Sequence, residues 1–442
     1  MREVDWIKAA DALAAEHAAR LSAHEAEAEA AGVALPLVED LRRALVEIDL
    51  LFRSAPTAVE NRYKRISESD LRDLTKAGTA NLDAGSLAWP AGARLDGAAA
   101  QLRALDAFLR AFAPLGPPVD PNMDFLCHEH RTHVIPRHAA APPANPAQVR
   151  TLTYARRGLV HHRLIPAEIS GYDIELHWHR DLFLAMRSSG SSVVGAIFQD
   201  LTLVRDPDFQ RFVAADAPCA DEDATLRAQV DAIRSPEVKL AVWPELTMPP
   251  ERLAKLTELL RERALATSPA SGACIIAAGS WHEVEDGEVR NRMHLLSAMG
   301  RPRLHHDKSI PLESRTLGNE ELTPSYRIPV LITEDALVTF AICRDFCESQ
   351  ISEVYRLMDV DLVVVPSYGD LKTIDAHRQQ AGNLFTTTGA RVFVVQQVVP
   401  EEVAKSGMGY ILPPEVDPTA TAASTLVTAS PGATYPISFK RV

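Results

Sequence analysis

The chain predicts an α/β domain in its second half and a helical domain in its first, and three observations carry that division. From residue 192 onward, short apolar runs of strand length recur at 192–198, 239–243, 273–278, 338–342, 361–365 and 392–395, each closing on a polar or turn residue. Amphipathic stretches such as 251–264 and 348–358 lie between them. Before about residue 115 almost nothing alternates with period two, whereas Leu41, Leu45, Ile48 and Leu51 fall on one helical stripe.

The elements follow in order. The segment 4–31 is crowded with Ala, Glu and Leu, all strong helix formers, and further helices are expected over 35–52, 57–76 and 97–112. Residues 1–115 therefore read as a helical module. Prolines punctuate 114–146, and 139–146 has the character of a loop or linker. The stretch 151–186 is ambiguous, since His177-Trp178-His179 followed by 181–184 fits a strand, a helix start or neither, so 116–190 is read as linker and unassigned chain. The apolar runs after 191 lack alternation, the mark of strands buried on both faces in a layered α/β domain over 191–442.

Composition bounds the function. The 442 residues carry 46% hydrophobic and 24% charged side chains, a globular balance with enough chain for more than one domain. A net charge of −13 argues against general nucleic-acid affinity. Five scattered cysteines do not make a disulfide framework, which points to a reducing compartment. The start Met1-Arg-Glu-Val-Asp5 lacks the basic and apolar regions of a signal peptide, and no apolar run reaches the ~20 residues that span a bilayer, so a cytoplasmic, non-membrane protein is expected.

Three residues attract attention by placement. Cys343 follows the strand-like run 338–342. Asp345 and Glu348 suggest a capping box, and Ile351, Val354, Tyr355 and Met358 continue at helical spacing. The thiol is thereby placed at a strand-to-helix elbow, where helix N–H groups favour a thiolate. Glu245 leaves another buried run through Trp243-Pro244, at the carboxyl end of a strand, where α/β sheets gather their active sites. Lys308 lies in His305-His-Asp-Lys-Ser-Ile-Pro311. Taken singly, each has a bland reading as core thiol, turn carboxylate or surface ammonium.

Taken together, they resemble the nitrilase superfamily of carbon–nitrogen hydrolases, which uses a Glu, a Lys and a Cys in that chain order. The matching pieces are Trp243-Pro-Glu245-Leu, Asp307-Lys308-Ser-Ile-Pro311 and Ala341-Ile-Cys343-Arg-Asp345, supported by Ala196-Ile-Phe-Gln199, Gly279 with Asn291, and 361–367. The resemblance spans about 191–440 and does not touch the first half. It implies an α-β-β-α sandwich with Glu245, Lys308 and Cys343 as catalytic residues and the backbone N–H of Arg344 in the oxyanion site. A second glutamate that positions the lysine is also implied; Glu313 is the nearest candidate, with Glu320 and Glu321 as alternatives. Two departures stand out: Cys343-Arg-Asp-Phe-Cys-Glu348 is shorter than the family's run and lacks its Pro.

The implied chemistry is hydrolysis of an amide, or of a nitrile, through a Cys thioester, with no metal or organic cofactor. Asp at the second position after the nucleophile is more like the amidases. Other classes share these residues: a catalytically silent sensing module that signals through the helical half, and an acyl or amide transferase that uses the same thioester. Expected partners are a small amide or nitrile, further copies of the chain in a homo-oligomer, and a protein partner for the N-terminal helices. The cluster Cys127-His-Glu-His130 with His133 and His138 has no second half and misses the spacing of a zinc motif, so it reads as polar loop. Cys347 reads as a helical thiol and a poorer nucleophile than Cys343. No phosphate-binding glycine loop is present.

Overall fold

The computed structural model describes residues 1–31, 38–90, 92–112, 117–137, 159–182, 184, 192–196, 211–214, 216–219, 221–266, 274–314, 318–398, 409–414, 426–429 and 432–438. The chain divides into two compact units, Met1–Ala167 and Glu168–Val442.

The first unit begins with five helices, α1 (Glu3–Ala31), α2 (Val38–Arg53), α3 (Thr57–Arg65), α4 (Glu68–Asp83) and α5 (Arg94–Leu109). The expected stripe is the buried face of α2, where Leu41, Leu45, Ile48 and Leu51 meet Trp6, Tyr63 and Leu105 in one core. Ser67 caps α4 by accepting the N–H of Asp70 at 3.1 Å.

The unit does not end at 115, and it is not wholly helical. A short helix α6 (Pro121–Asp124) leads into an antiparallel three-stranded sheet of β1 (Leu126–Cys127), β2 (Thr132–Pro136) and β3 (His162–Pro166). The reason is a buried carboxylate on α5. Asp106 accepts the N–H groups of Val160 and His161 at 2.7 and 2.8 Å and meets His162 Nδ1 at 3.0 Å, which ties the third strand to the helices. The linker expected over 116–190 is thus divided: its first part completes this sheet, and β4 (Glu168–Ile169) and β5 (Tyr172–Trp178) enter the second unit. The segment 139–146 lies outside the described residues.

The second unit is mixed α/β. Its further elements are β6 (Ser192–Ala196), β7 (Arg211–Phe212), α7 (Glu222–Ile233), β8 (Val238–Val242), α8 (Pro250–Ala266), β9 (Ile275–Glu285), β10 (Glu288–Leu296), β11 (Pro302–Asp307), β12 (Glu313–Ser314), β13 (Gly318–Glu320), β14 (Arg327–Ile332) and β15 (Leu337–Phe340). They continue with α9 (Arg344–Cys347), α10 (Ser349–Leu357), β16 (Leu362–Gly369), α11 (Leu371–Thr388), β17 (Arg391–Val398), β18 (Gly409–Leu412), β19 (Val427–Ala429) and β20 (Thr434–Ser438). A six-stranded sheet has the order β11-β10-β9-β8-β6-β20, and an eight-stranded sheet the order β19-β18-β17-β16-β15-β14-β5-β4.

One hydrophobic cluster draws Val193, Leu240, Val242 and Ile275 from the first sheet and Val338, Phe340, Val364 and Val395 from the second. Gly195 marks how close they come: a Cβ there would lie 2.8 Å from Ile411 Cδ1 and 3.1 Å from Val395 Cγ2. The other face of the six-stranded sheet packs Ala241, Trp243 and Ile276 against Leu226 and Val230 of α7 and Leu256 and Leu260 of α8. Burial on both faces explains the unbroken apolar runs.

Gly279, within β9, has φ +74°, and a Cβ on it would stand 2.5 Å from Pro244 O and 2.8 Å from Thr247 Oγ1. Only glycine lets the strand pass the turn that carries Glu245. Gly279→Ala is therefore expected to cost about 3 kcal/mol, from left-handed strain plus displaced backbone. Urea unfolding of the two proteins checks it; a loss below about 0.5 kcal/mol would contradict the close approach.

Candidate functional site

Glu245, Lys308, Glu320 and Cys343 are brought together from four separate segments. Glu245 follows the end of β8, and its carboxylate is aimed by three donors. Lys308 Nζ and Asn291 Nδ2 reach Oε1 at 2.8 and 3.0 Å, and the Tyr368 N–H reaches Oε2 at 2.9 Å. The backbone bond from Glu245 N–H to Ser367 O, at 3.3 Å, links the turn to β16. Leu246, next in the chain, sits at φ +55°.

Lys308 follows β11 and is 1% exposed, with its ammonium between two carboxylates. Nζ lies 2.8 Å from Glu245 Oε1 and 2.6 Å from Glu320 Oε2. Burial by itself would lower the lysine pKa, but the two carboxylates outweigh it and hold the group well above its ordinary value. The surface-lysine reading does not apply to this residue.

The carboxylate that shares Lys308 with Glu245 is Glu320, not Glu313. Glu313 is 70% exposed at its side chain and stands 3.9 Å from Arg344 Nη1. The offset from Lys308 misled because β12 and β13 form an antiparallel hairpin, which turns Glu313 outward and carries Glu320 back inside. Glu320 was within reach of sequence reasoning only as one of three glutamates. Glu321 pairs with Arg211 at 3.5 Å and is 46% exposed at its side chain.

Cys343 stands just beyond β15, at φ +47°, in a sharp turn before α9. The left-handed region costs a non-glycine residue on the order of 1–2 kcal/mol, so the surrounding bonds must hold it. They do: Cys343 N–H donates to Pro366 O at 2.9 Å, and Phe346 N–H donates to Cys343 O at 3.0 Å. The thiol donates to Tyr368 O at 3.4 Å. Burial and the charge of Glu245 push the thiol well above its ordinary range, while Lys308 pulls it down. Glu245 is itself raised, by burial first and by Glu320, against the pull of Lys308. Glu320 is held below the usual carboxylate range because Lys308 and His282 outweigh its burial.

The capping box expected from Asp345 and Glu348 does not form. Asp345 turns inward and accepts the N–H of Ser309 at 3.1 Å, of Ile310 at 2.7 Å and of Ile342 at 3.4 Å, clasping the lysine loop to the cysteine turn. Burial pushes its carboxyl up to about 7 against Lys308 and those N–H groups. Glu348 pairs with Arg344, and its extended backbone separates α9 from α10. Arg344 opens α9, so its backbone N–H belongs to the first helical turn after the thiol.

Cys347 contacts His377 Nδ1 at 3.0 Å, and burial pushes its thiol up to about 12. The sequence reading passed over His282 and Tyr368; a lone histidine and a backbone N–H give no pattern to find. In the first unit, Glu47, Glu129 and His130 come within metal-binding distance of one another. Arg20 and Arg43 already pair with Glu47, and Arg43 also pairs with Glu129, so two guanidinium groups neutralise these carboxylates.

Exchanging either glutamate separates their roles. Glu320→Gln is expected to destabilise the protein by about 3 kcal/mol, since a buried cation loses a charged partner. Glu313→Gln, on an exposed side chain, is expected to cost less than about 0.5 kcal/mol. Urea unfolding checks both; equal losses would contradict the assignment of Glu320 as the second partner of Lys308.

No family model matches the chain, and no curated protein matches it. Solved structures do match. An amidase from Nesterenkonia sp. is 15% identical with a TM-score of 0.38, over 58% of this chain and 92% of that one. A carbon–nitrogen hydrolase from Helicobacter pylori G27 is 12% identical with a TM-score of 0.38, over 56% and 88%. Saccharomyces cerevisiae Nit3, a member of branch 10 of the nitrilase superfamily, is 16% identical with a TM-score of 0.35, over 57% and 92%. The neighbours named here are thus an amidase, a carbon–nitrogen hydrolase and a nitrilase-superfamily member.

Proposed function

We propose that the second unit is a cysteine-dependent carbon–nitrogen hydrolase of the nitrilase superfamily, with its two sheets and flanking helices arranged as an α-β-β-α sandwich. The observation that carries the reading is Lys308 Nζ held between Glu245 and Glu320, at 2.8 and 2.6 Å, beside a thiol on a strained elbow. A buried ammonium with two carboxylates and a nucleophile is a costly arrangement for a purely structural core.

The steps follow from the residue types. Glu245, whose proton affinity burial raises, takes the proton of Cys343. The sulfur attacks the amide carbon, an S–C bond forms, and the carbonyl electrons move onto oxygen. The Lys308 ammonium and the Arg344 N–H stabilise that oxyanion. The tetrahedral centre collapses, the C–N bond breaks, and the proton on Glu245 passes to the departing amine. Water then gives a proton to Glu245 and attacks the thioester; the carboxylic acid leaves, and the proton returns to sulfur. Glu320 stays an anion throughout and keeps Lys308 in place. An amide is favoured over a nitrile by Asp345, two residues after the nucleophile.

Cys343→Ala is expected to abolish amide turnover with little change in stability, because a small side chain fits the same turn. Glu245→Gln is expected to lose about 1,000-fold or more in kcat, since the amide group accepts no proton. Ammonia release from a panel of small amides and nitriles, with circular dichroism for the fold, checks both. Wild-type turnover in the Ala variant would contradict the nucleophile assignment.

A further inference from the structure

His282 is buried in the site, and the steps above do not use it. We propose that His282 is a positioning residue: it donates from Nε2 to Glu320 and so fixes that carboxylate as the permanent anion, leaving Glu245 alone to carry the mobile proton. This role rests on the hydrolase reading.

The geometry decides the tautomer of His282. Its side chain, on β9, is fully buried, and Nδ1 lies 2.8 Å from the backbone nitrogen of Ala214. An N–H can only donate, so Nδ1 is the acceptor and the ring is neutral with its hydrogen on Nε2. That nitrogen faces Glu320 Oε1 at 3.0 Å. Phe212 packs on the ring in a T-shaped pair with centroids 6.1 Å apart and planes at 73°, and Phe212 is the register partner of Glu320 in the parallel pair β7–β13. The ring is thus clamped by the same short sheet that carries the glutamate.

The consequence is a difference between two carboxylates that share one cation. Glu320 accepts from four donors: Lys308 Nζ at 2.6 Å, Asn291 Nδ2 at 2.8 Å, Leu312 N–H at 2.8 Å and His282 Nε2 at 3.0 Å. Glu245 accepts from three N–H donors, Lys308, Asn291 and the Tyr368 N–H, alongside the Cys343 thiol with which it exchanges the proton. Each N–H directed at a carboxylate favours its anion, so the proton goes to the carboxylate with fewer donors. The charged and titratable groups facing this pair are Lys308, Cys343 and His282. Without the His282 donor, Glu320 competes with Glu245 for the proton exchanged with Cys343, and the coupled pair as a whole binds that proton at higher pH.

The test compares wild type, His282→Leu and His282→Gln. Two profiles are measured from about pH 5 to 9: kcat/KM on an amide substrate, and the rate of Cys343 alkylation by iodoacetamide resolved by peptide mass spectrometry. The Leu variant is expected to shift the acid limb of both profiles upward by about one pH unit, with KM little changed and about tenfold less activity below the wild-type midpoint. Gln keeps an N–H donor at the same reach and is expected to restore the wild-type midpoint. A Leu profile that superimposes on wild type overturns the role. If circular dichroism shows that the Leu variant does not fold, His282→Met takes its place as the variant without an N–H donor: an upward shift in Met that Gln does not show supports the role, and a Met profile that superimposes on wild type overturns it. Wild-type Cys343 that alkylates no faster than Cys274 would sink the hydrolase reading and the positioning role with it. Failure of the positioning role alone shows as an activated Cys343 indifferent to residue 282.

Discussion

The site is organised around one buried ammonium. Removing Lys308 from water costs several kcal/mol, and two glutamates compensate it at 2.8 and 2.6 Å. Two buried carboxylates against one cation leave a surplus negative charge. Asn291, which donates to both, and the backbone N–H groups of Leu312 and Tyr368 absorb it. Each of these donors comes from a different strand or turn, so the electrostatic balance and the fold are one constraint. A shift of a single strand register would strand a charge.

Backbone strain serves the same centre. Leu246, next to Glu245, and Cys343 both have positive φ without being glycine. Gly279 gives the first turn room, and Asp345 ties the second to the lysine loop. These features place a carboxylate and a thiol at the carboxyl ends of two strands in different sheets, with the ammonium between the carboxylates.

Much of this was legible in the residues. The runs at 239–243, 338–342, 361–365 and 392–395 read as strands because burial on both faces leaves no polar alternation, and the helical stripe of α2 emerged from its spacing. What escaped depends on tertiary contact. Glu320 is a polar residue in a three-residue strand whose place is set by a hairpin and by β7, a pairing that no local pattern encodes. Strand β5 alternates buried Tyr172, Ile174 and Leu176 with polar neighbours, but its histidine-rich end obscured the period. The strands of the first unit were hidden because Asp106, more than fifty residues away, anchors the third of them. Asp345 looked like a helix cap since nothing in the sequence shows that the lysine loop offers it better donors.

The central claim is that Cys343 forms a covalent acyl intermediate. Its most direct test is intact-protein and peptide mass spectrometry after rapid acid quench of the enzyme turning over a small amide. The account predicts a mass increase equal to the acyl group, confined to the peptide that holds Cys343 and discharged when substrate is exhausted. Amide hydrolysis with the acyl group on another residue, or with Cys343 unmodified under conditions that trap thioesters, would contradict it.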